Sequence, residues 1–508
     1  MTRRAGRSRL LLGALVLLLA VLPRPAEAQE PATGDKPTAP GQPPGPTPIP
    51  EPIPVIPEPP FPPPTVPSTP QRLLPVPSAG LPPTAVFQLE PSVTLSEEYT
   101  DNFNLTKRDK LSNFRSTVSP GLRLLINSAF TKGVVAYTFA PSHDSATDDL
   151  QLFHTLLGQV TWEATPLWKL TVADTLTRSD QPAEADRLGL RRERQTFTSN
   201  TFSLASDYLL ARVTTHQSYA LSTFSDDGGG KTTSHTLAAS ASLPIYRTNS
   251  VSVGYDYVTS KTENGTGTGT GGGEFIASTG GDTSGHQFTA AFTRQLTSLR
   301  SVGVKGSYAL RTLTAETSDT DYRLWNVSVF TNYALLGRLT INGSLGVSGI
   351  TIDSGESLGP NLFSSTSITY QFGPALASLA MDQGFSETFS GGQNFGVVET
   401  TGISGSLTYP FTPSLSGTAT ASYRRSKATG IGNIETGTGG DQESESYGGT
   451  LALSWRILPK LLLDLSYSYL KQVGSGDNQQ VGTTTGRQGG GDDGYTENRI
   501  KASINVSF

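Results

Sequence analysis

The side chains of this chain that could do chemistry are few and badly spaced for it. Five histidines, His143, His154, His216, His235 and His286, lie far apart and show no metal-ligand spacing. Ser142, His143 and Asp144 are the right types for nucleophilic catalysis. As direct neighbours they cannot form a triad, which needs three groups converging from separate places; they read as polar residues of an external loop. Gly265 to Gly271 alternates glycine with threonine, but no strand leads into it and no helix follows, so it is not a dinucleotide loop. The acidic tips Asp226-Asp227-Gly228 and Asp492-Asp493-Gly494 lack the full calcium-loop spacing. Cysteine is absent, which removes disulfides, thiolate metal sites and cysteine nucleophiles. These residues predict no catalytic centre, no cofactor and no metal, and a net charge of −5 gives no reason to expect nucleic-acid binding.

The charges that do recur sit among small polar residues, alternating with apolar ones. Arg115, Arg123, Glu163, Asp207, Asp256, Lys305, Arg311, Asp382, Arg424, Arg456, Asp464, Arg499 and Lys501 all fall in such positions. If the strands carrying them close into a barrel, these side chains line its lumen. Their signs are mixed, whereas a strongly selective ion pore would show one sign at its constriction. They either pair with one another and hold the barrel's shape, or line a path for a polar, hydroxyl-rich solute.

The elements that must position them are strands of period two. Val251, Val253, Tyr255 and Tyr257 alternate with Ser252, Gly254, Asp256 and Val258. Leu461, Leu463, Leu465, Tyr467 and Tyr469 alternate with Asp464, Ser466 and Ser468. Short connections at Thr165-Pro166-Leu167, Leu243 to Tyr246, Leu335 to Gly337, Pro410 to Pro413 and Leu458 to Lys460 take turns with long ones. The long ones are Ser179 to Arg194, Lys261 to Ser284, Ala428 to Glu443 and Gln472 to Asp493. Tight turns at one end and free loops at the other are what a membrane barrel requires. The count from Phe87 is about 20 strands, with 18 as the alternative. Trp162, Tyr208, Tyr333, Tyr370, Tyr409 and Trp455 fall near the short turns. Tyr137, Tyr219, Tyr257, Tyr308, Tyr423 and Tyr469 fall toward the other ends, so the aromatics sort into two girdles. The predicted fold is all-β: a large antiparallel transmembrane barrel over 84–508, bedded in outer-membrane lipid.

Two segments precede it. Residues 1–28 form a secretory signal, with Arg3, Arg4, Arg7 and Arg9, an apolar run from Leu10 to Leu22, and the small-x-small site Ala26-Glu27-Ala28. Residues 29–83 hold 22 of the 35 prolines, so neither helix nor sheet can form there. That stretch is expected to be a disordered or polyproline II arm in the periplasm.

The last strand, Asn498 to Phe508, puts Ile500, Ala502, Ile504, Val506 and Phe508 on one face, with Arg499, Lys501, Ser503, Asn505 and Ser507 on the other. It resembles the C-terminal strand of bacterial outer-membrane barrels. That resemblance implies that Phe508 is read by the barrel-insertion machinery. Glu97-Glu98-Tyr99-Thr100-Asp101-Asn102-Phe103, followed by Ser119-Pro120-Gly121-Leu122, resembles the opening hairpin of a family of porin-like outer-membrane barrels found with exopolysaccharide and PEP-CTERM sorting systems. The resemblance implies a non-enzymatic role in exopolysaccharide export or biofilm-matrix assembly. Polysaccharide and periplasmic export components, reached through the proline-rich arm, would be the partners. A general diffusion porin and a structural or adhesive surface barrel are the other readings open to the sequence.

Overall fold

The computed structural model describes residues 86–181, 194–227, 229–263, 281–315, 319–335, 337–353, 357–387, 397–429, 443–475 and 494–508. The expected signal and proline-rich arm lie outside the described residues, as do the Gly265–Gly271 run and the tip Asp492-Asp493.

The described residues form twenty strands. The first five are β1 (Phe87–Thr100), β2 (Asn113–Asn127), β3 (Thr131–Asp144), β4 (Asp149–Thr165) and β5 (Trp168–Ser179). Next come β6 (Phe197–Leu210), β7 (Val213–Asp226), β8 (Lys231–Tyr246), β9 (Asn249–Glu263) and β10 (Gly281–Thr297). The third group is β11 (Arg300–Ala315), β12 (Asp319–Leu335), β13 (Leu339–Ile352), β14 (Ser357–Phe372) and β15 (Ala375–Glu387). The last is β16 (Val397–Thr412), β17 (Leu415–Ala428), β18 (Glu443–Leu458), β19 (Leu461–Ser475) and β20 (Tyr495–Ser507). Each strand pairs antiparallel with its neighbours in sequence, and β20 returns to β1 through Ile500 opposite Tyr99. Closure leaves no sheet edge, so every ladder has a partner.

Cross-strand partners point to the same side of a sheet, so the register assigns every face. Starting from Ile500, one side collects Tyr99, Tyr467, Leu451, Tyr423 and their equivalents around the ring. That side carries large apolar residues that are freely exposed, among them Val329 at 61%, Leu345 at 60% and Leu451 at 60%. Water would penalise such a surface at roughly 25 cal/mol per Å². Hydrocarbon does not, and the protein is a transmembrane β-barrel. The opposite, inward side is hydroxyl-rich, as alternation of small polar residues dictates.

Strands run from 12 to 17 residues, more than the roughly 9–11 that a tilted span needs. They therefore project past the apolar belt. The short turns gather at one end, here the turn end, and the longer connections at the other, the loop end. Gly337 and Gly373 take positive φ of 65° and 56° in two of the tight turns, a conformation that glycine adopts without a Cβ clash.

Two short connections lie further along than the sequence suggested. Leu243–Tyr246 belongs to β8 and Pro410–Thr412 to β16; the turns are Arg247-Thr248 and Pro413-Ser414. In both strands the ladder shifts register beside the proline, between Pro244 and Tyr246 and between Pro410 and Thr412, so a missing N–H is absorbed by a bulge instead of ending the strand. The expected loop at Ser142-His143-Asp144 is likewise the loop end of β3. Pro120 and Pro141 face a gap in the β2–β3 ladder, which resumes at Thr117 opposite Ser142 and ends at Arg115 opposite Asp144.

Candidate functional site

The lumen is not uniform along its length. Toward the loop end the inward side chains are buried, including Arg115, Asp144, Ser234, Ser260, Gln287, Arg311, Ser348, Arg424 and Glu497. Toward the turn end inward residues such as Leu157, Gln159, Glu163, Lys169, Asn332, Asn342 and Ser367 are exposed. The bore is open at one end and packed at the other.

The packed half is built from chain that turns inward. On one wall Asp180, just past β5, reaches back over three strands to Arg115 on β2. One guanidinium there serves two carboxylates. Its Nε and Nη2 donate to Asp144 at 2.8 and 2.9 Å, and its Nη1 and Nη2 donate to Asp180 at 2.9 and 2.6 Å. Paired forks of this kind are the strongest geometry available to an ion pair. Arg194, leading into β6, lies 3.5 Å from the same Asp180 and donates to Glu497 of β20 at 2.9 Å. Glu497 also accepts from Thr100 and from Arg499, at 2.9 and 3.1 Å. Three guanidiniums and three carboxylates thus alternate around this wall, and Arg499 also comes within 4.0 Å of Glu98 on β1. Burial pushes the Asp180 carboxyl up, but the hydrogen bond from Arg115 and the charges of Arg194 and Arg115 outweigh it and hold it below the ordinary aspartate value.

Residues of the opening motif complete this wall. Asn102 is fully buried and donates to the carbonyls of Thr106 and Thr496, at 2.7 and 2.8 Å. Phe103 lies under the guanidinium of Arg194, 4.9 Å from ring centre to Cζ, and its carbonyl accepts from Arg194 Nε at 3.0 Å. Phe153 does the same for Arg115 at 5.1 Å. Stacked aromatics suit a desolvated guanidinium because the ring face is electronegative.

A second inward segment covers β11 to β13. Phe385 and Val397, at the loop ends of β15 and β16, close with Leu313, Tyr322 and Ile350 into a small dry core inside the mouth. Beside it Arg311 donates to Glu387 through Nε and Nη2, at 3.0 and 2.9 Å, and through Nη2 to Gln287 at 3.2 Å.

The register puts all thirteen charges singled out in the sequence on the inward side. Asp382 and Arg424 approach one another at 3.6 Å. The others named above take partners that the sequence reading did not select, as do Arg123 with Glu90 at 3.4 Å and Asp207 with His216 at 2.7 Å. Glu163, Lys169 and Asp207 sit side by side on β4, β5 and β6 near the turn end. Arg456, Asp464, Lys305 and Lys501 also line the half-open region, with Asp464 accepting from Ser454. Asp256 is buried opposite Gln287. His143 and Asp144, as strand neighbours, point to opposite sides. Phe508 is 64% exposed and donates its N–H to Pro91.

Between the charges the inward wall is a ladder of hydroxyl pairs. Thr161 meets Thr171, Thr201 meets Ser222, Ser378 meets Ser406, Thr408 meets Thr418 and Thr450 meets Ser468, at 2.7 to 3.2 Å. On the outward side the loop-end tyrosines repeat one device. The hydroxyls of Tyr137, Tyr219 and Tyr255 each meet the Nδ1 of a histidine on the next strand, His154, His235 and His286, at 2.8 Å. These three histidines therefore pack with the outward-facing tyrosines.

No family model matches the chain, and no curated protein matches it in sequence. Solved barrels resemble it in architecture. The siderophore receptor PirA from Acinetobacter baumannii has a TM-score of 0.44 at 8% identity, over 83% of this chain and 80% of the receptor. The FrpB iron transporter from Neisseria meningitidis gives 0.45 at 8% identity, over 82% of each chain. The outer membrane protein opdK from Pseudomonas aeruginosa gives 0.38 at 11% identity, over 83% of this chain and 99% of its own. These likenesses concern the fold alone.

Proposed function

We propose that the protein is a non-enzymatic barrel of the bacterial outer membrane that serves as a conduit, or an accessory to one, in exopolysaccharide export. The loop end then faces outward and the turn end the periplasm. The observation that carries this reading is the hydroxyl ladder of the inner wall. A wall of paired Ser and Thr hydroxyls offers donors and acceptors without fixed charge, which suits a solute that is itself hydroxyl-rich and neutral. The charges near the mouth are paired with one another within their cluster, which weakens the field they present to such a chain. The proline-rich sequence of 29–83 is the part of the chain assigned to contact with export partners.

A general diffusion porin is the second reading, favoured by the chain at Asp180 and Arg194 that turns into the mouth. Single-channel conductance in planar bilayers tests both, using the full chain and a chain lacking 29–83. Stable conductance steps interrupted by neutral oligosaccharides support the glycan conduit. Steps indifferent to oligosaccharides favour the porin. Silence from a folded barrel rejects both and leaves a structural or adhesive role.

A further inference from the structure

The inner wall has two chemically distinct sides. The side running from β17 through β20 and β1 to β7 holds most of the lumen charges. Across the bore, the inward faces of β12, β13 and β14 carry no charged residue among the described residues of their spans. In their place the register aligns amides and hydroxyls in rows. Asn332 of β12 stands opposite Asn342 of β13, which stands opposite Ser367 of β14. One pair closer to the loop end, Phe330 stands opposite Ser344, and Ser344 opposite Ser365. Asn332, Asn342, Ser365 and Ser367 are exposed, in the open half of the bore.

Phe330 gives this wall its shape. Its ring lies across Gly303 of the neighbouring β11, where any Cβ would collide with Cζ and Cε1. The ring therefore runs along the wall, over a position that only glycine leaves empty. Asn332 is tied at its Nδ2 to Ser301 at 3.3 Å, which orients its carboxamide.

An aromatic face beside amides and hydroxyls is the combination that a neutral pyranose requires. The ring covers the sugar's C–H face, and a carboxamide offers one donor and one acceptor to adjacent ring hydroxyls. A carboxylate-bearing sugar would bring a charge to three strands that offer no cation of their own; Lys305 of β11, opposite Ser328, stands at the edge of the track. We infer that the inward face of β12–β14, centred on Phe330, Asn332, Asn342 and Ser367, is a binding track for uncharged pyranose chains. This inference rests on the conduit reading above and narrows its substrate class to neutral glycans.

The test is saturation-transfer NMR on the full-length barrel folded in detergent, which needs no open pore. The probes are maltoheptaose as the neutral chain and an oligogalacturonate of similar length as the charged one. Maltoheptaose is expected to bind, and Phe330→Ala or Asn342→Leu to weaken it about tenfold, the equivalent of about 1.4 kcal/mol. Phe202→Ala, on the outward face of β6, leaves binding unchanged and controls for general damage, with heat-modifiable gel mobility confirming that each variant is folded. Wild-type affinity in both inner-wall variants overturns the track while leaving the conduit reading in place. Preference for oligogalacturonate, or no binding of maltoheptaose, overturns it as well. Failure of the conduit itself appears separately, as bilayer silence.

Discussion

Arg194 and Glu497 meet at 2.9 Å although they are 303 positions apart in the chain, and both side chains are almost wholly buried. The contact pins the segment entering β6 to the strand that closes the barrel, so the packing of the mouth depends on a bond between two distant parts of the sequence.

Removing one partner leaves the other buried with one partner fewer, at less than the about 3–5 kcal/mol of a wholly stranded charge, because Glu497 keeps Arg499 and Arg194 keeps Asp180. Arg194→Ala and Glu497→Ala are each expected to free this segment. The readouts are faster amide hydrogen exchange at Asn102 and Phe103 and a larger single-channel conductance. The double variant should lose less than the two single losses combined, because the bond between the two side chains is then lost only once.

Acid should release the same anchor, but late. The Asp180 carboxyl is held below its ordinary value of 3.8, so its ion pairs are complete at neutral pH and lost only as the pH falls through that lowered range. Conductance titrated downward from pH 7 is expected to stay constant past pH 5 and to change only below the usual aspartate range. Asp180→Asn should remove that acid step.

The two faces of a strand can be told apart by neighbours. Leu451 lies outward, midway between the girdle residue Trp455 and Tyr447, the cross-strand partner of Tyr423, and Thr450 lies inward. Leu451→Arg is expected to destabilise the barrel in lipid vesicles by about 2–4 kcal/mol, as for a cation near the bilayer midplane. Thr450→Arg should cost less than about 1.5 kcal/mol, the worth of its hydrogen bond to Ser468. Urea-driven unfolding from vesicles measures both.

Gly349 of β13 sits beneath the indole of Trp325, where an added Cβ would stand 2.8 Å from Cζ2. Gly349→Val must displace the indole, at about 1–3 kcal/mol. The same unfolding assay, together with tryptophan emission, reports the shift.

Strand number, faces and both girdles could be read in the sequence because each rests on period-two alternation, a local property. Arg499 and Lys501 show this: their inward placement follows from Ile500 facing out. Glu497 carries the same phase and could have been selected with them. Asp180, Arg194 and Glu387 could not. The first two lie in chain with no period, and Glu387 follows Gly384, whose φ of 153° interrupts the alternation. The misplaced loop at Asp144 has its source in Pro141, which usually ends strands but here faces a gap in the ladder. The long-range partners depend on how chain crosses the mouth, and no short window of sequence records that.

The contrast between an open turn end and a packed loop end has an electrical meaning. Saline in the wide half is a good conductor, so a voltage applied across the membrane falls mainly over the packed half. The three guanidiniums and three carboxylates around Arg115 would stand in the steepest part of that field, where displacing any one of them moves the most charge.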